Sequence, residues 1–178
     1  DQYKVGPGDD LSFNLISSDG SVSLILKISP IGDVLIPNIG NIFINNMTLS
    51  KAIDKIKNKC REKYTNSEIF VSLYSLRQFN VQVFGPGIND GYVTISPVNR
   101  LSYIFSEVTE NNINEYSIRN IDIYRDDEVY NYDLMDFYIF GNELSNPYIE
   151  QNDKIKFNIR KNILKINGAV NIPGVYDY

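Results

Sequence analysis

The chain has 178 residues, of which 43% are hydrophobic and 22% charged, and a net charge of −5; it is long enough for one large core or two small ones, and its acidic balance argues against nucleic acid as the main partner. There is no histidine and a single cysteine, Cys60, which removes an internal disulfide, cysteine metal clusters and the commonest metal ligand and general base. Its apolar runs last a few residues, far short of the roughly 20 that cross a bilayer as a helix, and no signal-peptide pattern is legible, so any leader the protein has is expected to have been removed or to lie outside this sequence.

In chain order, "YKVGPGDDLSFNLI" is a Gly-Pro-Gly turn feeding an alternating strand with Leu11, Phe13 and Leu15 on one face. "SVSLILKI" repeats the alternation with Val22, Leu24, Leu26 and Ile28, and "SPIGDVLIPNIGNIFI" reads as two short strands punctuated by Gly32, Pro37 and Gly40. Thr48 is the expected N-cap of a helix over about 49–63, in which Leu49, Ala52, Ile53, Ile56 and Cys60 form one apolar stripe. Cys60 is therefore expected to be a small buried hydrophobe rather than a reactive thiol. "EIFVSLYSL", 68–76, is apolar on both faces and is expected to be a central strand.

A boundary is expected near Arg77-Gln78, after which the pattern restarts. "FNVQVFG" and "GYVTI" read as strands joined through Gly-Pro-Gly, followed by a short helix from about 99 with Leu101, Ile104, Phe105 and Val108 at helical spacing. Residues 109–115 read as a polar loop. "IRNIDIY" and "EVYNY" flank a hairpin turn at Arg125-Asp126-Asp127. Asp133 caps a brief helix, "LMDFYIF", ended by Gly141. In "DKIKFNI" the residues Ile155, Phe157 and Ile159 are expected to point one way.

Charge is unevenly spread. Residues 51–63 hold six Lys or Arg against Asp54 and Glu62, residues 90–153 hold thirteen Asp or Glu against Arg100, Arg119 and Arg125, and residues 154–178 are again basic. Solvated faces account for such blocks; opposite charge at separate places also suits head-to-tail stacking of copies.

The chain echoes itself. "VQVFGPGINDGYV" and "LKINGAVNIPGVY" align at an offset of 83 residues, matching Val81 and Val83 with Leu164 and Ile166, and Gly85 and Gly91 with Gly168 and Gly174. The pattern is that of a hairpin, with glycine where the chain bends and Gly or Pro at the turn. A second echo sets "GDDLSF", 8–13, against "NDKIKF", 152–157: an acid just before an alternating strand.

These residues carry a resemblance. The Tyr3-to-Asp9 opening, the "GDVLIPNIG" centre, the Thr48-Leu49 helix start and the strand running to Arg77-Gln78-Phe79 resemble the bacterial polysaccharide export family. "INGAVNIPGVY" is similar to the entry of its soluble-ligand-binding (SLBB) β-grasp domains. In the first copy, "FGPGINDGYV" departs from that pattern, with Asp90-Gly91 where Pro-Gly is usual, and 107–111 replaces the usual glycine-rich helix end. The resemblance implies an α+β fold with an export-type domain over 1–78, an SLBB-like β-grasp domain over 79–161 and the first hairpin of a second over 162–178. With no partners from its own module, the strand Leu164–Ile166 is expected to fray or be borrowed by a neighbouring sheet.

The same resemblance implies a ring-shaped homo-oligomer in the periplasm and outer membrane, often a lipoprotein, that passes capsular or extracellular polysaccharide and couples to an inner-membrane polysaccharide co-polymerase. Contact with the outer membrane would come through regions outside this chain. Neither a cofactor nor a metal is expected: no EF-hand spacing is present, and no His or Cys stands by to activate a serine. The acid pairs Asp9-Asp10 and Asp126-Asp127-Glu128 read as turn residues, so an enzyme is not expected. Gly6, Gly8, Asp9, Gly85, Gly91, Gly168, Pro173 and Gly174 are assigned to structural turns; Gly6 to Asp9 precede a strand, not a helix, and so do not form a phosphate cradle. Lys51, Lys55 and Lys59 are the candidate assembly face, toward acidic surface on a neighbour. Tyr130, Tyr132 and Tyr148 are the candidate glycan contacts, while most other aromatics sit at core positions. The alternative is a β-grasp module that binds a soluble glycan or peptide as a sensor or adaptor, without forming a pore.

Overall fold

The computed structural model describes residues 3–18, 20–109, 115–171 and 173–177, and the backbone alone of residues 89 and 90. The fold is α+β and divides into two compact units, 1–78 and 79–178.

In the first unit, β1 (Asp10–Ser17), β2 (Gly20–Lys27) and β5 (Glu68–Ser75) form an antiparallel sheet in the order β2-β1-β5. A separate hairpin joins β3 (Asp33–Ile36) to β4 (Gly40–Phe43). The alternation in β1 does what period two predicts: Leu11, Phe13 and Leu15 are buried. They share a core with Val34, Ile36, Ile42 and Ile44 of the hairpin segment and with Ala52, Ile56 and Cys60 of helix α1 (Leu49–Arg61). Thr48 caps this helix, its Oγ1 accepting from the Lys51 amide at 3.4 Å. The cysteine thus packs as a hydrophobe, and burial pushes its thiol pKa up.

The expectation of a central strand over 68–76 is corrected. β1 is central, and β5 lies at the edge with Phe70 and Tyr74 exposed on its outer row. Aromatic residues on an open face mimic the continuous apolar run of a doubly covered strand.

In the second unit, β6 (Phe79–Gly85), β7 (Ile88–Ile95), β8 (Tyr116–Arg125), β9 (Glu128–Tyr132) and β10 (Lys154–Ile159) form one mixed sheet, ordered β7-β6-β10-β8-β9. Only the β6–β10 pair is parallel. Helix α2 (Leu101–Thr109) adds Leu101, Ile104 and Phe105 to a core with Val81, Val83, Ile121 and Ile123. The Phe105 and Phe157 rings meet edge to face at 5.7 Å between centroids. Asp126 and Asp127 take φ of 49° and 64°, the left-handed pair that a two-residue hairpin turn with the right twist requires. Asp133 caps α3 (Leu134–Phe140), and Gly141, at φ 70°, ends it. Residues 110–114, most of the expected polar loop together with part of the altered helix end, lie outside the described residues.

Ile159 departs from the expected row. Ile155 and Phe157 are buried, but the register of β10 on β8 shifts after Phe157, and Ile159 is exposed. The extra residues lie on β8, which advances five positions, from Ile121 to Tyr116, while β10 advances two, so the ladder is irregular where Ile159 leaves the buried row.

The last elements, β11 (Ile163–Ile166) and β12 (Gly174–Asp177), pair with each other in a two-stranded hairpin. The strand Leu164–Ile166 therefore has a partner in its own return strand. The Ser117 hydroxyl of β8 donates to the Asp177 carboxylate. The sequence echo is a structural one. Val81 faces Val93 and Val83 faces Gly91 in the first hairpin; at the same offset, Leu164 faces Tyr176 and Ile166 faces Gly174 in the second.

Candidate functional site

The opening turn closes on a buried carboxylate. Gly8, at φ 93°, reverses the chain so that Asp9 points inward and is fully buried. Its Oδ2 accepts from the Tyr3 hydroxyl at 2.6 Å, the Gly6 amide at 2.9 Å and Arg77 Nη1 at 2.8 Å; its Oδ1 accepts from the Arg77 amide at 2.8 Å. Burial, and then the bond to Asp9, push the Tyr3 phenol well above its ordinary range. The Arg77 guanidinium also lies over the Tyr3 ring, 5.7 Å from its centroid. The Gly6 N–H that a phosphate would need is thus already committed within the fold. Asp9 ties the opening of the unit to the segment just after β5.

The second unit has the same device. Asp153 is 2% exposed and accepts from Arg125 Nε at 2.8 Å, Arg125 Nη2 at 2.6 Å and the Glu150 amide at 2.8 Å. Asn152, at φ 75°, occupies the place of Gly8, and in each unit the buried acid also takes a backbone amide three residues upstream. The echo between 8–13 and 152–157 is therefore a repeated latch. Both acids stood out in the sequence, and neither partner did. Arg77 was legible only as part of a motif, and Arg125 as the residue before a turn.

Arg125 gathers part of the tyrosine set. Its Nη2 donates to the Tyr148 carbonyl at 3.1 Å and its Nη1 to Glu150 at 2.7 Å; the bond to Asp153 holds the guanidinium firmly charged. Tyr130 and Tyr132 lie across from Ile123 and Ile121 on the hairpin that Arg125 closes. Tyr132 packs on the core, whereas Tyr130 is exposed and its hydroxyl donates to Glu128. Tyr148 is exposed, but Arg100 covers one ring face at 4.2 Å and donates from Nη2 to its hydroxyl at 3.1 Å. Tyr130 and Tyr148 thus offer open aromatic surface, and Tyr132 much less.

Lys51, Lys55 and Lys59 fall one turn apart along α1 and are exposed. Lys55 Nζ donates to the Phe43 carbonyl at 2.8 Å, strapping the β3–β4 hairpin to the helix, and Lys59 pairs with Glu62 at 2.6 Å. Two of the three thus have work inside the unit.

The assigned turn glycines separate into two kinds. At Gly85 a Cβ would lie 2.2 Å from the Phe157 carbonyl oxygen, so β6 and β10 approach too closely for any side chain. Its counterpart Gly168, at φ 97°, faces open space. The tight turn of the first hairpin is Pro86-Gly87, with Gly85 opposite Ile88. Gly91 and Gly174 are instead strand residues of β7 and β12, and Pro173 immediately precedes β12.

One surface was not anticipated from the sequence. Tyr138, Ile139, Phe140 and Leu144 are exposed by 53%, 62%, 78% and 84% around the end of α3. Asp136 folds the segment back by accepting from Ser145 Oγ and from Asn142, which together hold its carboxyl below the usual range. The signal was present, since six of the seven residues of "LMDFYIF" are apolar and a two-turn helix buries only one face.

Among the described residues no His, Cys, Asp or Glu cluster is arranged to hold a metal ion, and no helix is long and apolar enough to cross a membrane. Residues 1–74 match the model of a protein family described as polysaccharide biosynthesis/export protein. No curated protein matches the chain.

Proposed function

Because residues 1–74 belong to the polysaccharide biosynthesis/export protein family, we propose that the chain is a non-enzymatic component of a conduit exporting capsular or extracellular polysaccharide across the periplasm and outer membrane. That match is the observation on which the reading rests. The second unit is read as an SLBB-like β-grasp domain; its mixed five-stranded sheet, single parallel pair and packed helix α2 support this. The hairpin 163–177 is read as the entry of a second such domain, on the strength of its shared register with β6–β7.

The mechanism is architectural. Each unit is closed by a buried acid–arginine latch, giving rigid blocks from which a ring-shaped homo-oligomer is built. The exposed side chains of Tyr138, Ile139, Phe140 and Leu144 support assembly, because four large apolar groups more than half in water within seven residues suit a surface that a neighbour covers. An acidic body, at −5, suits a passage that must not retain an acidic polymer. An inner-membrane co-polymerase is the proposed partner on the supply side. Native mass spectrometry of the protein extracted from its own membrane tests the reading. A conduit gives one closed integer multiple of the protomer mass; a stable monomer contradicts it. The exposed rings of Tyr130 and Tyr148 favour a second reading, a glycan-binding sensor or adaptor, which a monomer with a saturable glycan isotherm would support.

A further inference from the structure

At one end of the first unit, the adjoining ends of β1 and β2, the β3–β4 turn and the segment between α1 and β5 line a groove of about 520 Å³. That volume falls within the range of small-ligand sites, and loops held on a packed scaffold are where such sites form. Its floor is apolar: Leu15, Leu24, Pro37 and Tyr64 line it, with Val22 47% exposed at its mouth. Its rim is built of Ser17, Asn38, Thr65, Asn66 and Ser67. Among the described lining residues Lys63 is the one cation; its Nζ donates to the Asn38 carbonyl at 2.6 Å, which holds the ammonium at the rim with further protons to give.

We infer that this groove is a saccharide-contact site that takes a short stretch of a chain carrying uronic acid, an inference that rests on the export reading. A pyranose ring has C–H faces that pack on apolar floor, and hydroxyls that both donate and accept. Ser, Thr and Asn side chains likewise both donate and accept, so the rim matches a sugar edge without requiring one orientation. One solvated ammonium attracts a uronate weakly, by no more than a few-fold. Weak, repeated contact is what a passing cargo requires.

The test is a titration of the ¹⁵N-labelled chain with two probes, trigalacturonate and maltotriose. The amides of Val22, Asn38 and Thr65 to Ser67 are expected to shift with both, trigalacturonate binding about threefold more tightly. Lys63→Gln, whose amide can still donate to Asn38, is expected to erase that difference while maltotriose binding persists. Val22→Trp, on the same side of β2 as Leu24 and Leu26 but half in solvent, is expected to fill the groove and abolish the shifts. No shift with either probe up to about 10 mM, shifts confined to other residues, or an unaltered titration in Val22→Trp overturns the inference. If the groove is silent while loss of the protein abolishes export, only the groove assignment falls. If the groove titrates in a protein dispensable for export, the export reading falls and the sugar site stands alone.

Discussion

Asp9 and Arg77 stand 68 residues apart in the chain and 2.8 Å apart in the fold, and Asp153 with Arg125 repeats the relationship in the second unit at 2.6 Å. Both acids are buried and both arginines are partly exposed. Removing one member of a buried pair strands the other's hydrogen-bonding groups, which costs more than the pair itself contributes. Asp9→Asn is expected to lower the stability of the first unit by about 2 to 3 kcal/mol in urea unfolding. Asp153→Asn should do the same to the second unit alone. A loss under roughly 0.5 kcal/mol in either would show that the latch is ornamental.

The matched glycines should not respond alike. Gly85→Ala places a methyl group 2.2 Å from the Phe157 carbonyl oxygen, a backbone atom that no rotamer change can move. The expected loss is about 3 kcal/mol, with weakened pairing of β6 on β10 seen as faster amide exchange. Gly168→Ala meets no atom and carries only the strain of its positive φ, about 1 kcal/mol. Equal losses would contradict the close approach.

Tyr3 predicts an alkaline weakness. Its folded-state pKa is raised, so its contribution is intact below the unfolded value near 10 and fades as pH rises past it, where the unfolded chain gives up a proton the folded chain keeps. Urea midpoints for the first unit should hold to about pH 9 and fall as the pH rises past about 10, more steeply than for Tyr3→Phe. Parallel curves for the two proteins would remove Tyr3 from the latch.

Phe140→Ser combined with Leu144→Ser should leave folding nearly untouched, since both side chains are more than three-quarters exposed. If the α3 surface is an assembly contact, self-association by sedimentation equilibrium should weaken at least about tenfold. Unchanged association with intact stability would move the contact elsewhere. Lys51→Glu is the better probe of the helix face, because Lys55 and Lys59 also serve their own unit.

Local rules carried far in this chain. The Thr48 cap, the Asp126-Asp127 turn, the Asp133 cap and the Gly141 stop were all readable, because each depends on residues within one turn of one another. What failed depended on distant partners. The place of β5 at the sheet edge depends on which strand leaves β1 open, and the outward swing of Ile159 on a shift against β8. Both latch acids stood out by their repeated setting, but their arginines lie 68 and 28 residues away, with nothing local to tie them together. The groove was illegible for the same reason, since its lining comes from three separate stretches of the chain.

The most direct test of the account is the distribution of polysaccharide in a strain lacking this protein, complemented either with the wild-type chain or with the Phe140→Ser, Leu144→Ser variant in the full-length protein. The account predicts loss of surface polymer with accumulation in the periplasm, recovery with the wild type, and poor recovery with the variant at equal protein level. Normal surface polymer in the strain lacking the protein would contradict it.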